Sequence, residues 1–110
     1  MEPINVNQQH AAALRAAAIG DGAETDATLR DSVLERAAGG APVAEPYDTL
    51  ARQIGEAAYR VTDAHVAAVR EAAGSDKAAF EVIMSACVGA GLVRWDAAAR
   101  VIEEAIDAAS

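Results

Sequence analysis

The chain has 110 residues, a length typical of one domain, and a formal net charge of −8. Its nine basic residues are scattered rather than clustered, which argues against nucleic-acid binding, because that needs grouped Lys and Arg to neutralise phosphates. The same charge disfavours an anionic membrane surface. The single cysteine, Cys87, excludes an intramolecular disulfide.

Composition predicts an all-α protein, a compact bundle of about six helices. Hydrophobic residues make up 53% of the chain but aromatic residues only 4%, and roughly a quarter of the residues are alanine, the strongest helix former. A core of such small side chains buries little surface per residue, so self-association is expected to add burial. Neither a secretion signal nor an uninterrupted apolar run long enough to span a bilayer is evident, and a cytoplasmic location is expected.

The predicted organisation is a single domain, with an N-terminal helix and loop over residues 1–25 and the main helical unit over residues 26–110. The first helix lies before Gly20. The second covers residues 26–38, and the glycines at 39 and 40 end it. One face of this second helix is apolar and is expected to enter the core: Leu29, Val33, Leu34 and Ala37.

Two further helices are predicted between the loop at residues 39–46 and Gly74. Pro46 suits the first turn of the third helix, which is expected to end near residues 59–60. Thr62 is a good N-cap for the fourth helix, and Gly74 has the position of a left-handed C-terminal glycine.

The last two predicted helices are separated at Gly91. Ser75 is expected to cap the fifth helix, which is apolar nearly all round from residue 78 to residue 90 and is therefore predicted to be the buried central helix, with Cys87 inside it. A sixth helix is predicted from about Arg94. Its core face would carry four apolar residues: Trp95, Ala99, Ile102 and Ile106.

The stretch "VAAVREAAGSDKAAFEVIMSACVGAGLVRW" resembles the region that follows the active site in the carboxymuconolactone decarboxylase and alkylhydroperoxidase-D-like superfamily. The resemblance extends over about residues 46–106. It implies an alkylhydroperoxidase-D-like fold and association into trimers or hexamers. Independently of it, Gly89 and Gly91 would allow helices to approach closely, which suits a self-association surface.

The resemblance also indicates which catalytic residues are missing. The peroxidase branch carries Cys-x-x-Cys-x-x-x-His, and counting back from Glu81 places that histidine on His65 and the two cysteines on Ala58 and Val61. Neither of these residues can form a thiolate, so dithiol peroxidase chemistry is predicted to be absent. The decarboxylase branch carries Glu-x-x-x-His, and Val61 again stands where the carboxylate would be.

The remaining candidate catalytic group is His65, which is either structural or a general base. As a base it would need a carboxylate to orient it, Glu56 or Glu45, brought close by the tertiary fold. Arg52 or Arg60 would then hold a substrate carboxylate.

Glu81, Arg94 and Trp95 are candidate ligand-binding residues with structural alternatives. Glu81 is either the partner of Lys77 one turn earlier or an acid in a pocket. Arg94 and Trp95 either begin the last helix or line a ligand mouth. Neither a metal nor a cofactor is expected, because His10 and His65 lie far apart and no phosphate-binding glycine motif occurs.

Two functional hypotheses follow, with a third in which the chain only packs into an oligomer. The first is a redox-inactive member of this superfamily that serves as an oligomeric binding or accessory subunit. The second is a cysteine-independent lyase or isomerase that acts on a small carboxylic acid, with His65 as general base and Glu56 orienting it.

Overall fold

In the computed structural model, residues 4–109 are described, with side chains from residue 8 onward. They contain helices and no strand, which confirms the all-α prediction. In chain order the elements are α1 (Ile4–Ala18), α2 (Ala27–Ala37), α3 (Tyr47–Ala57), a 3₁₀ turn (Ala58–Arg60), α4 (Asp63–Ala73) and α5 (Asp76–Ala109).

Most helix boundaries lie where the capping residues predict them. The Thr62 side chain accepts a hydrogen bond from the backbone N–H of His65 at the start of α4, and Gly74 ends that helix with a φ of +102°. Ser75 Oγ accepts from the backbone N–H of Ala78 at 3.0 Å and caps α5. Side-chain oxygens here satisfy N–H groups that have no partner inside their own helix.

The core is built around the first half of α5, against which α2, α3 and part of α4 pack. Helix α2 lies close enough to α5 that a Cβ added to Gly89 would stand 2.0 Å from the carbonyl oxygen of Leu34. Gly89 therefore serves contact between helices of the same chain, rather than the self-association surface that the sequence suggested. The largest fully buried side chains are Leu34, Leu50, Val33, Val69, Val82 and Ser85.

An ion pair fastens the long loop between α2 and α3. The backbone N–H of Val43 and the Arg36 guanidinium, 2.8 Å away, both donate to the Asp48 carboxylate. These hydrogen bonds, the backbone one above all, hold the pKa of Asp48 below its usual range. The loop that carries Pro46 is thereby held against the bundle.

Helix α5 runs without interruption through Gly91, so the predicted break there is wrong and the structure has five α-helices with one 3₁₀ turn among the residues described. Gly91 has no positive φ. A glycine inside a helix costs about 1 kcal/mol relative to alanine, which the helical sequence on both sides of it can offset.

The second half of α5 extends past the core, which corrects the prediction that its apolar residues are core anchors. Ala90 is the last buried residue of the helix. Trp95 is 48% exposed, and Ile102 is 59% exposed. The long helix gives the molecule its extents of 54 × 30 × 20 Å.

The side of α5 that faces the core in the first half becomes charged in the second half, whereas the outer side stays apolar along both halves. At 100° per residue, the side that continues the core face is charged, whereas the opposite side is apolar. The charged side carries Asp96, Arg100, Glu103, Glu104 and Asp107. We call the opposite side the C-terminal apolar face; it carries Trp95, Ala98, Ile102 and Ile106.

By length and composition, α5 is also apolar enough to cross a membrane. Its apolar residues do not form one uninterrupted run of that length, because charged residues such as Glu81 and Arg94 lie among them. The core helix of a soluble protein passes the same test, and the buried first half of α5 packs on α2 and α3 as such a helix does. The cytoplasmic location stays a prediction.

Candidate functional site

His65 is held by the start of its own helix. Its Nδ1 accepts a hydrogen bond from the backbone N–H of Thr62 at 3.1 Å, and its backbone N–H donates to Thr62 Oγ1 at 3.2 Å. This is a reciprocal capping box, with histidine in the place usually taken by Glu or Gln. Because Nδ1 is an acceptor, the proton of the neutral ring lies on Nε2. His65 is half-buried, and these are its hydrogen bonds among the described residues.

The structure does not bring the other proposed catalytic groups to His65. Glu56 is exposed and lies 3.9 Å from Arg52 within the same helix, while Glu45 hydrogen-bonds to Thr49 at the start of α3. Arg60 is exposed with its guanidinium over the ring of Tyr59. The lyase hypothesis gains no specific contact and stays a prediction.

The two positions that match the family's cysteines lie beside the 3₁₀ turn. Ala58 is its first residue and is exposed, and Val61, just after it, is half-buried against the core. Neither side chain carries a redox-active or ionisable group. The region that the resemblance marks as a redox site is therefore a surface turn.

Arg94 and Trp95 have separate surroundings. Arg94 Nη2 donates to the backbone carbonyl of Gly55 at 2.7 Å, and its Nη1 donates to that of Ala90 at 3.2 Å. The guanidinium thus satisfies a carbonyl in the last turn of α3, which is a capping role. Trp95 faces a groove instead.

Cys87 is exposed, which corrects the prediction that it is a buried small hydrophobe. It lies on the side of α5 opposite the core, where Phe80 is 62% and Met84 is 43% exposed. The apolar composition of α5 predicts burial all round, whereas only one face of the helix enters the core.

Among the described residues, two grooves lie along the seam between α1 and α5, and they share Leu14, Met84 and Val88. The lower groove has a volume of about 420 Å³ and is bounded partly by the loop between α1 and α2. The upper groove has a volume of about 520 Å³ and is lined mainly by apolar side chains. The upper groove also contains the single cysteine and the single tryptophan with a histidine: Cys87, Trp95 and His10.

Glu81 lines the lower groove and holds the loop between α1 and α2. Its carboxylate accepts from the backbone N–H groups of Glu24 and Thr25, both at 2.9 Å, and from Thr25 Oγ1 at 2.7 Å. Lys77 Nζ lies 3.5 Å away, as the structural alternative predicted. The Glu24 and Thr25 donors lower the pKa of Glu81 to about 2, so it is ionised at neutral pH and is poorly suited to act as an acid.

Arg30 lines the same groove and was not singled out from the sequence. It is 4% exposed, and its guanidinium donates to the backbone carbonyls of Ala18 at 2.7 Å, Gly20 at 2.9 Å and Thr25 at 3.4 Å. Its Nε is buried and has no hydrogen-bond partner among the described residues. The sequence did contain a signal, because Arg30 precedes Val33 by three positions and so falls on the apolar stripe of α2.

Among the described residues no three His, Cys, Asp or Glu side chains gather as metal ligands. No protein-family model, curated protein or solved structure matches the chain.

Proposed function

We propose that this chain is a redox-inactive, alkylhydroperoxidase-D-like protein that serves as an oligomeric binding or accessory subunit, with the C-terminal apolar face of α5 covered by a second copy. The observation that carries the proposal is the exposed apolar side of the second half of α5, which lies opposite a charged side. The first half buries its apolar core face within the chain, whereas the second half presents apolar side chains outward and charged side chains on the other side.

The exposed apolar area supports an interface. The three large side chains of the C-terminal apolar face, Trp95, Ile102 and Ile106, are each 48–61% exposed. Large side chains exposed to this degree leave roughly 100 Å² each in contact with water. Together they expose roughly 300 Å², a size typical of the largest apolar patches on monomers, about 300–600 Å², and they supply part of the roughly 800 Å² that each partner buries in a standard interface.

A second copy suits this face better than a bilayer does. The chain has a net charge of −8, and four of the five charged residues on the opposite side of the helix are acidic. Anionic lipid headgroups would repel such a surface. Another copy of the same helix supplies a matching apolar stripe while its acidic side remains in water.

Glutamate substitutions at two adjacent positions test the interface. Ile102→Glu places a charge on the C-terminal apolar face and is expected to reduce the sedimentation mass of the wild-type oligomer to that of a monomer, because an unpaired charge would be buried. Val101→Glu is the matched control, since Val101 is 63% exposed but points about 100° away around the helix. Its mass should equal that of the wild type. A monomeric wild type, or equal dissociation of both variants, would contradict the proposal.

A hydroperoxide assay tests the redox-inactive part of the proposal. With alanine and valine at the two matching positions and Cys87 as the only thiol, we expect no turnover of organic hydroperoxide above the background rate with a dithiol reductant. Cys87→Ala should leave that rate unchanged. Turnover at the rate of a dithiol enzyme would refute this part of the proposal.

A further inference from the structure

The lower groove contains a buried cation whose charge no carboxylate neutralises. Arg30 forms none of the ion pairs found among the described residues, although it is 4% exposed. A guanidinium has five N–H donors, and three hydrogen bonds to carbonyl oxygens occupy only part of them. A buried charge is ordinarily paired, because its desolvation is costly when it has no counter-charge.

The neighbouring carboxylate of Glu81 does not serve as a counter-charge for Arg30. The Glu81 carboxylate is already bound by two backbone N–H groups, the Thr25 hydroxyl and Lys77. Thr25 lies between the Glu81 carboxylate and the Arg30 guanidinium. Its N–H and hydroxyl donate to Glu81, and its carbonyl accepts from Arg30. Arg30 is therefore a buried cation in the wall of the groove that has no carboxylate within ion-pair distance among the described residues.

We infer that the lower groove binds a small amphipathic monocarboxylate, whose carboxylate neutralises Arg30 and whose apolar chain lies along Leu14, Met84 and Val88. These three side chains also line the upper groove, so an extended chain can continue along the seam towards Trp95. The inference goes beyond the proposed self-association, because the C-terminal apolar face lies further along α5.

Charge complementarity decides the class of the ligand. Lys77 is paired with Glu81, so Arg30 is the cation of this groove that is left without an ion-pair partner in the described part of the chain. Glu81 and Asp21 also line the groove, and they repel a dianion such as a phosphate monoester about twice as strongly as a monocarboxylate. The walls beside Arg30 carry Phe80, Met84 and Val88, which favour a hydrocarbon body over a sugar or a second charged group.

Calorimetric titration with octanoate, below its micellar concentration, and with 1-octanol tests the site. We expect octanoate to bind with one site per chain, and octanol at least about tenfold more weakly, because a charge-assisted hydrogen bond is roughly twice as strong as a neutral one. Equal affinity of the two compounds, or no saturable octanoate binding, would overturn the inference.

The binding site can be located with variants that leave Arg30 in place. Substituting Arg30 itself would also leave three backbone carbonyls without their hydrogen-bond donor, and so could disturb the fold. Met84→Trp fills the groove and should abolish octanoate binding, whereas Val93→Trp should bind as the wild type does. The two positions are matched, since Met84 is 43% and Val93 is 42% exposed on the same helix, and only Met84 lines the groove. Retained binding in Met84→Trp, or equal loss in both variants, would overturn the assignment.

The monomeric variant separates this site from the interface. Ile102→Glu should bind octanoate with wild-type affinity, because Ile102 lines neither groove. If Ile102→Glu loses octanoate binding, the ligand occupies the space between copies and the Arg30 site is wrong. If the protein proves monomeric but Met84→Trp loses octanoate binding and Val93→Trp keeps it, the self-association fails and the ligand site stands.

Discussion

Gly89→Ala is expected to lower the free energy of unfolding by about 3 kcal/mol or more, or to prevent folding altogether. The added Cβ would stand 2.0 Å from the carbonyl oxygen and 2.8 Å from the carbonyl carbon of Leu34. Both atoms belong to the backbone of α2, so relief requires the two helices to separate along the most buried contact of the core. Chemical denaturation followed by circular dichroism measures the loss.

Gly91→Ala is the control for the Gly89 substitution, two residues further along the same helix. Nothing lies within 4 Å of a Cβ built on Gly91, and its φ is not positive. Alanine should therefore stabilise the protein by roughly 0.5–1 kcal/mol through its higher helix propensity. A loss of stability in Gly91→Ala would instead indicate a left-handed glycine that ends the helix. For the other variant, an unchanged stability of Gly89→Ala would contradict the close packing of α2 on α5.

Glu81→Gln is expected to lower the free energy of unfolding at neutral pH by about 2 kcal/mol, because hydrogen bonds to a charged group contribute roughly 1.5–3 kcal/mol. The substitution leaves one amide oxygen to accept from Glu24 and Thr25, and it removes the partner of Lys77. The 12% exposure of the Glu81 side chain keeps solvent from compensating the loss. The loop between α1 and α2 should loosen first.

The difference in stability between the wild type and Glu81→Gln is expected to depend on pH with a defined sign. The folded-state pKa of Glu81 is lowered from 4.5 to about 2, so its contribution is fully present above pH 4.5 and is lost as the pH falls towards 2. The stability gap between wild type and Glu81→Gln should narrow over that range, as denaturation series at several pH values would measure. Glu104→Gln, at an exposed position of the same helix, should match the wild type within about 0.5 kcal/mol. A gap that stays constant down to pH 2 would contradict the hydrogen-bonding scheme.

The sequence predicted the helices because their signals are local. Thr62, Gly74 and Ser75 cap their helices through hydrogen bonds or a backbone φ set within a few residues. Gly91 was mispredicted because a glycine that ends a helix and one that lies inside it have the same local composition. The two kinds of glycine differ in whether the chain that follows turns back onto the core. After Gly91 the chain continues straight as part of α5.

Burial on α5 could not be predicted for a related reason. An apolar stretch indicates that contact with apolar surface is favourable, but it does not say whether that surface belongs to the same chain. Cys87 and Trp95 were therefore assigned to the interior and lie in a groove or on the outer face. The charged side chains that begin at Asp96 do mark where the core ends.

In the candidate site, too, contacts between residues close in sequence could be predicted, whereas contacts that depend on the tertiary fold could not. Pairing of Glu81 with Lys77, four residues apart, was predictable, whereas its bonds to Glu24 and Thr25 depend on a loop more than fifty residues away. Arg30 could have been recognised from its place on an apolar stripe. Its lack of a carboxylate partner becomes visible only when the surrounding side chains are placed.

The most direct test of the outward apolar face is the fluorescence emission maximum of Trp95, the only tryptophan, which is 48% exposed in the single chain. If a second copy covers this face, the wild type should emit at shorter wavelength than Ile102→Glu at the same concentration, while Val101→Glu should match the wild type. Identical emission maxima for wild type and Ile102→Glu would contradict the account.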